Sequence, residues 1–295
     1  MRPQREISII SFGEVLLDKI GDTLTIGGAP LNISYHLQKL GLHAHIISRV
    51  GSDSLGEKII EFIQLNGIGS QGSSIDKTMQ TGLVHVELNK DGEILYDIQN
   101  PAAWDYIADS NIDHACLVVQ ADALVFGTLS SRNTSNRTEL FRMLGYAKMK
   151  VFDVNFRQPF VDKVLFEKLF SLSDLVKFNL EEIKIVSEWY GVYSQDLKSI
   201  VDFLNDKYGE KEILVTDGEN GAYLFFEGEV FFQEAIKVQV VDTIGCGDAF
   251  LAGYLSCRLK GDKINASLAN AIKLSALVAT KEGGCPTYKL NEMNQ

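Results

Sequence analysis

Cysteine and proline are scarce, at 4 and 5 of 295 residues. Cys116, Cys246, Cys257 and Cys285 form no CxxC pair, which argues against a disulfide scaffold or a thiolate zinc site and points to reduced thiols in a cytoplasmic protein. His43 and His45 make an HxH, but no third ligand stands at zinc-like spacing. Positive charge is short as well. The 28 Lys and Arg against 39 Asp and Glu leave a formal charge of -11, so no whole-molecule field draws a nucleic acid or an anionic membrane. An anionic small molecule stays possible, because backbone N–H groups, a metal ion and one or two basic side chains hold it locally. No window nears the ~18 uncharged apolar residues of a membrane span, and the apolar stretch near the N-terminus is broken by Glu14. Linkers, repeats and low-complexity tracts are missing too, so a single domain is expected over 1–295.

What is present reads as a folded α/β protein. Hydrophobic residues make up 45% and charged residues 23%, close to the globular average. Short apolar runs at 7–12, 44–50, 122–126, 150–154, 174–178 and 212–216 read as buried strands. Helical spacing lies between many of them, as at 30–40, ending at Gly41, and at 55–66, ending before Gly67. This alternation predicts a mostly parallel sheet covered on both faces. Two segments break the rhythm. Residues 13–27 and roughly 80–103 look like antiparallel strands, the second turning at Asn89-Lys90-Asp91-Gly92, and together they predict a small lid over the open end of the sheet. A further hairpin, 222–226 with 230–232, is expected to extend the sheet edge.

The chemistry concentrates in three places. At Val240-Val241-Asp242-Thr243-Ile244-Gly245-Cys246-Gly247-Asp248-Ala249-Phe250 an apolar strand gives way to a Gly-x-Gly turn and a helix begins at once. Glycines let the backbone approach a ligand, and the first-turn N–H groups converge with the helix dipole behind them. That makes an anion hole, with Asp248 beside it in the first turn, kept ionised by the dipole. Such a pair suits phosphoryl transfer to an alcohol, where the carboxylate takes the hydroxyl proton while the N–H groups hold the moving charge. The plainer alternative is an Asp that caps its helix.

Second, Gly27-Gly28-Ala29-Pro30-Leu31-Asn32 brings a tight turn close to a ligand and aims Asn32, donor and acceptor at once, at a polyhydroxylated molecule. An ordinary Gly-rich helix entry is the alternative. Third, Asn179 and Glu182, at i, i+3 after a strand, share a helix face that suits a hydrated magnesium ion, or else form an N-capped helix with a solvated acidic turn. No Walker GxxxxGK[ST] and no complete GxGxxG is present, which disfavours P-loop and dinucleotide folds.

These groups, in this order, resemble the ribokinase-like carbohydrate kinases of the PfkB family, fructokinases most of all. Two segments carry the likeness: GGAPLNISYHLQKLG with RVGSDSLG at 49–56, and DTIGCGDAFLAG at 242–253. The resemblance implies a three-layer αβα sandwich with a small β lid, and ATP-dependent transfer of a phosphoryl group to a primary hydroxyl, fructose giving fructose 6-phosphate. Ribose, 2-keto-3-deoxygluconate, a nucleoside or an aminoimidazole riboside are the alternative acceptors, with Tyr96 or Trp104 as a wall for a base. A non-catalytic sugar-binding regulator is a further alternative.

By motif position it implies that Asp248 is the base and that Gly245, Cys246 and Gly247 supply the anion-hole amides. Asp18, Gly28 and Asn32 would contact sugar hydroxyls. Arg157, in FDVNFRQP, would stand near the sugar and the transferred phosphate, with Asp153 and Asn155 on the same wall. Asn179 and Glu182 fit the NxxE motif that organises magnesium and phosphates through water. Thr216 and Gly218, in LVTDGENG, would border the nucleotide, and Asn270 would lie near adenine. A potassium ion would involve Asp242 and carbonyls near Ile244 and Ala279. ATP, magnesium and a sugar are thus the implied ligands, for a monomer or homodimer. Two departures are visible. Cys246 stands where relatives usually have Ala; because the backbone amide does the work, little loss is expected, although the thiol would open activity to oxidation. The stretch from Asp18 to Gly27 is shorter than the ribokinase hairpin that forms a dimer clasp, so the likeness does not extend to lid-mediated dimerisation.

Overall fold

The structure, a computed structural model, describes residues 6–88, 94–194 and 196–294. In chain order, β1 (Ser8–Phe12), β2 (Leu16–Ile20) and β3 (Thr23–Gly27) precede α1 (Ala29–Lys39), and β4 (His43–Ile47) and β5 (Arg49–Gly51) precede α2 (Ser54–Leu65). Then come β6 (Ser74–Asp76), β7 (Gly82–Leu88), β8 (Ile94–Ile98), α3 (His114–Gln120), β9 (Ala123–Gly127) and α4 (Thr134–Leu144). The second half contains β10 (Lys150–Asp153), α5 (Lys163–Leu172), β11 (Leu175–Asn179), α6 (Leu180–Trp189), α7 (Leu197–Tyr208) and β12 (Glu212–Thr216). It closes with β13 (Gly221–Phe226), β14 (Glu229–Glu234), α8 (Cys246–Arg258) and α9 (Ile264–Ala279). No described helix is long and apolar enough to cross a membrane.

The large sheet has eight strands in the order β14-β13-β12-β11-β10-β9-β1-β4, parallel except for the β13–β14 hairpin at one edge. Its inner strands are mostly apolar on both sides because both faces are covered, while the edge strand β14 is largely exposed. Val125 and Val151 pack with Leu37, Phe250 and Leu268 from α1, α8 and α9. Their neighbours Phe126 and Phe152 point the other way, into Leu140, Phe166, Val186 and Leu204 from α4, α5, α6 and α7. Period-2 alternation within uniformly apolar runs thus builds two cores, one on each face.

The smaller sheet, β3-β2-β7-β8, stands over one end of the large one. It is mixed rather than wholly antiparallel: β2 pairs with β7 in parallel, because the chain passes back through the core between them. Within it the β2–β3 hairpin is tight, turning at Gly21 and Asp22. The turn expected at Asn89 to Gly92 lies outside the described residues. The run 44–50 is also two strands, since β4 stays in the large sheet while β5 leaves it to pair with β6.

Parallel strands end together. The carboxyl ends of β1, β9, β10, β11 and β12 bring Glu14, Thr128, Asp153, Asn179 and Thr216 to one rim, where open α/β sheets bind ligands.

Candidate active site

Between that rim, the lid and the N-terminus of α8 lies a cleft of about 660 Å³. Asp18, Gly28, Asn32, Asn155, Arg157 and Asp248 line it together with Asn179, Thr216, Gly218, Gly245 and Gly247. Residues from 18 to 248, read separately in the sequence, therefore share one cavity.

The turn expected to form an anion hole is built by close packing that only glycine allows. Gly245, the N-cap of α8, has φ 75 and ψ -1, and a Cβ there would lie 2.4 Å from Gly284 Cα. No side chain caps the helix, and among the described residues no acceptor is placed on the Gly245 N–H. Of the first-turn N–H groups of α8, those of Gly247 and Asp248 have no intrahelical partner and belong to residues on the wall of the cleft; that of Cys246, expected to join them, donates to Thr243 O at 3.3 Å instead, and Cys246 does not line the cleft. The same principle shapes the entry to α1: Gly28 has φ 106, and a Cβ would lie 2.5 Å from Glu14 O.

Asp248 does not cap its helix. Its Oδ2 accepts a hydrogen bond from Asn32 Nδ2 at 2.8 Å. The amide is held in that orientation from its other end, since Cys285 Sγ donates to Asn32 Oδ1 at 3.1 Å. Behind them His36 Nε2 lies 2.9 Å from Gly284 O, tying α1 to the backbone on which Gly245 rests. Desolvation pushes Asp248 up to about 6, Asp153 adds to the rise, and Lys177 and Asn32 oppose it. The dipole argument therefore holds only in part: the carboxylate is ionised at neutral pH by a margin of about one unit.

Lys177 is a candidate site residue the sequence reading missed. It lines the cleft although it is only 5% exposed, its Nζ lies 3.0 Å from Asp153 Oδ1, and it would sit 2.9 Å from a Cβ on Gly247. A buried ammonium thus stands against the anion hole. Its strand, LVKFN, is apolar at Leu175, Val176 and Phe178, and a charged side chain inside that buried run was the available signal. Glu14 was also missed. It is 4% exposed, lines the cleft, leaves Oε2 without a hydrogen-bond partner and is pushed up to about 7 by desolvation. Asp18 is pushed up to about 6 for the same reason.

Several expected residues sit differently. Asp153 is buried by its pairing with Lys177 and lines a small adjoining cavity with Glu14 and Asn155 instead of the cleft itself. Asn179 and Glu182 form a capping box: Asn179 Oδ1 accepts from Glu182 N at 2.8 Å, and Glu182 Oε2 accepts from Asn179 N at 2.8 Å. Glu182 Oε1 accepts from Phe156 N at 3.0 Å, so this carboxylate is buried rather than solvated, and only Asn179 of the pair faces the cleft. Asn270 lies on α9 away from the cleft lining, its Nδ2 donating to Gly253 O at 2.8 Å.

At the expected potassium site, Asp242 accepts from the N–H groups of Ile244 and Gly283, and Ala279 O accepts from Val241 and Asp242. Those oxygens hold the loop, and a carbonyl already taking two N–H groups fits a cation poorly in this conformation. The Cys246 thiol, expected to be oxidation-sensitive, is pushed up to about 12 by burial and by Asp242 and Asp248. Oxidants attack thiolates, so this position is chemically quiet. Trp104 is fully buried, packed against Leu129 with the Arg132 guanidinium 4.0 Å from its ring, and offers no wall for a base. The Tyr96 side chain lies outside the described residues.

Comparison with known proteins identifies the family and the fold. The chain is 27% identical over 310 aligned residues to a probable fructokinase-5 of Arabidopsis thaliana, covering 94% of this chain and 93% of that one. Its fold matches a fructokinase with bound ATP from Xylella fastidiosa (TM-score 0.84, 22% identity, 97% of each chain). It also matches an aminoimidazole riboside kinase from Salmonella enterica, solved with aminoimidazole riboside and an ATP analogue (TM-score 0.80, 19% identity, covering 97% and 98% of the two chains). The model of the pfkB family carbohydrate kinases matches residues 5–289, and the chain belongs to that family of sugar phosphotransferases.

Proposed function

We propose that this enzyme transfers the γ-phosphoryl group of ATP to the primary hydroxyl of a neutral monosaccharide, fructose giving fructose 6-phosphate. The observation that carries the proposal is the pairing of a carboxylate with an uncapped helix N-terminus, Asp248 held by Asn32 at 2.8 Å beside the Gly245 turn. In the step, the sugar oxygen attacks the γ-phosphorus, its proton passes to Asp248, and the bond to ADP breaks. The N–H groups of the α8 turn and the Lys177 ammonium face the charge spread over the moving group. A magnesium ion bound with the phosphates would supply charge neutralisation. Asn179, Glu181 and Asp217, all in the cleft wall, suit contacts to it through water.

The sugar end favours a neutral polyol. Glu14, Asp18 and Asp248 bring three carboxyl groups to it against the one guanidinium of Arg157. Such groups exchange hydrogen bonds with hydroxyls, and Asp18 and Asp248, ionised at neutral pH, repel a substrate carboxylate such as that of 2-keto-3-deoxygluconate. The lid adds Leu16, Val84 and Ile98, an apolar cover that keeps water from the reacting phosphate.

An assay of sugar-dependent ADP release over fructose, ribose, 2-keto-3-deoxygluconate and aminoimidazole riboside tests the reading. The expected result is the highest kcat/KM with fructose and the lowest with the acid sugar. Preference for the acid sugar or the riboside overturns the substrate assignment and leaves the reaction class standing.

A further inference from the structure

Away from the active cleft a second cavity, of about 180 Å³, opens between β5, α2 and the chain entering β6. Its walls are apolar at Val15, Val50, Ile60 and Ile63. One side is polar. Arg49 donates from Nη1 to Tyr106 O at 2.9 Å, and its Nε lies 3.0 Å from Asp76 Oδ2 as an ion pair but makes no hydrogen bond of good geometry. In the same wall, the hydroxyls of Ser48 and Ser74 have no hydrogen-bond partner. Native interiors rarely leave such groups unmatched without a water or ligand to take them.

We propose that this cavity is an effector site for a small uncharged amphiphile, an aromatic ring or branched chain carrying one hydroxyl or carbonyl. The size follows from volume: an apolar cavity of about 150 Å³ takes up benzene. The polarity follows from the Arg49 side. Asp76 already balances the guanidinium, so an added carboxylate leaves a net negative charge in a half-buried site, whereas a neutral oxygen accepts from the Ser48 or Ser74 hydroxyl without that cost.

The walls are joined to both roots of the lid. Val15 lies between Glu14 and Leu16, which line the active cleft, and leads directly into β2. On the other side, Thr81, the residue before β7, donates to Asp53 from its N–H at 2.8 Å and from its hydroxyl at 2.7 Å. Asp53 in turn caps α2, and Gly51 of β5 donates to Thr81 Oγ1 at 2.9 Å. Occupancy of the cavity therefore sets the footing of β2 and β7, the two lid strands that pair with each other, and alters how readily the lid closes on sugar. This coupling rests on the phosphotransfer reading above, while occupancy of the cavity does not.

The test uses benzyl alcohol as the probe, benzoate as its charged counterpart, and methyl NMR of the whole protein. Benzyl alcohol shifts the methyl signals of Val15, Val50, Ile60 and Ile63 saturably, and benzoate binds at least fivefold more weakly. The preferred sugar from the substrate screen changes the affinity for benzyl alcohol by the factor, at least threefold, by which benzyl alcohol changes the affinity for that sugar, as linkage requires. Ile60→Trp, which fills the cavity from α2, abolishes the shifts and leaves kcat without probe unchanged. Absence of saturable shifts in the wild type, or shifts that survive Ile60→Trp, overturns the site. Saturable binding with no change in sugar affinity overturns the coupling.

Discussion

Gly245→Ala isolates the anion hole. A residue with φ 75 lies in the left-handed region, which costs a side-chain-bearing residue about 1–2 kcal/mol. The new Cβ would also stand 2.4 Å from Gly284 Cα, where ordinary contact begins near 3.4 Å. Two backbone segments must part by about 1 Å, and neither is a flexible side chain able to swing aside. Gly284 is itself wedged against Asn32, where a Cβ would lie 2.5 Å from Nδ2, so the turn carrying the amides gives way instead. A displacement of about 1 Å costs on the order of a hundredfold in rate, or about 2.7 kcal/mol of barrier. Gly261→Ala supplies the control. Its φ is 82, no atom lies within 4 Å of its Cβ, and it stands outside the cleft. Both variants lose stability in thermal melts, the control by roughly 2–8 °C. Only Gly245→Ala loses kcat, by about a hundredfold, with sugar KM changed less than threefold. A Gly245→Ala enzyme that turns over within threefold of wild type refutes the assignment of these amides.

The remaining predictions concern charge. Since Asp248 must be ionised to accept a proton and is pushed up to about 6, kcat/KM rises with pH through about 6 and levels off above 7; a profile flat from 5 to 8 contradicts the assignment. Glu14 holds its proton more tightly folded than unfolded, so its contribution to stability is full below the ordinary glutamate range and is lost as pH rises through about 7, which urea unfolding at pH 5 and 8 measures. Lys177→Met strands the buried Asp153 carboxylate and costs about 3–5 kcal/mol in urea unfolding, and Lys177→Met combined with Asp153→Asn recovers part of that loss without restoring turnover.

The elements that position the site were readable because their signals are local. Gly-x-Gly at 245–247 demands a backbone that only glycine adopts beside Gly284, and a uniformly apolar run such as 212–216 has few places to go except the middle of a sheet. What escaped notice depends on distant partners. Lys177 gains its meaning from Asp153, 24 positions away, and from a turn some 70 positions away that a lysine in a strand does not announce. Asn270 shows the converse. Its place in the chain suggested the nucleotide, but its amide is satisfied by Gly253, a contact that exists only once α8 and α9 pack. Trp104 likewise looks available to a ligand in a list of residues and is enclosed once the lid returns to the core.

Asp248→Asn carries the most direct test, because it keeps the shape of the side chain and removes its capacity to take a proton. Single-turnover transfer from bound ATP to saturating fructose should fall by ~10²–10⁴, the ordinary worth of a positioned base, while the Kd for ATP stays within threefold. Transfer within tenfold of the wild-type rate would show that some other group receives the hydroxyl proton and would remove Asp248 from the centre of the mechanism.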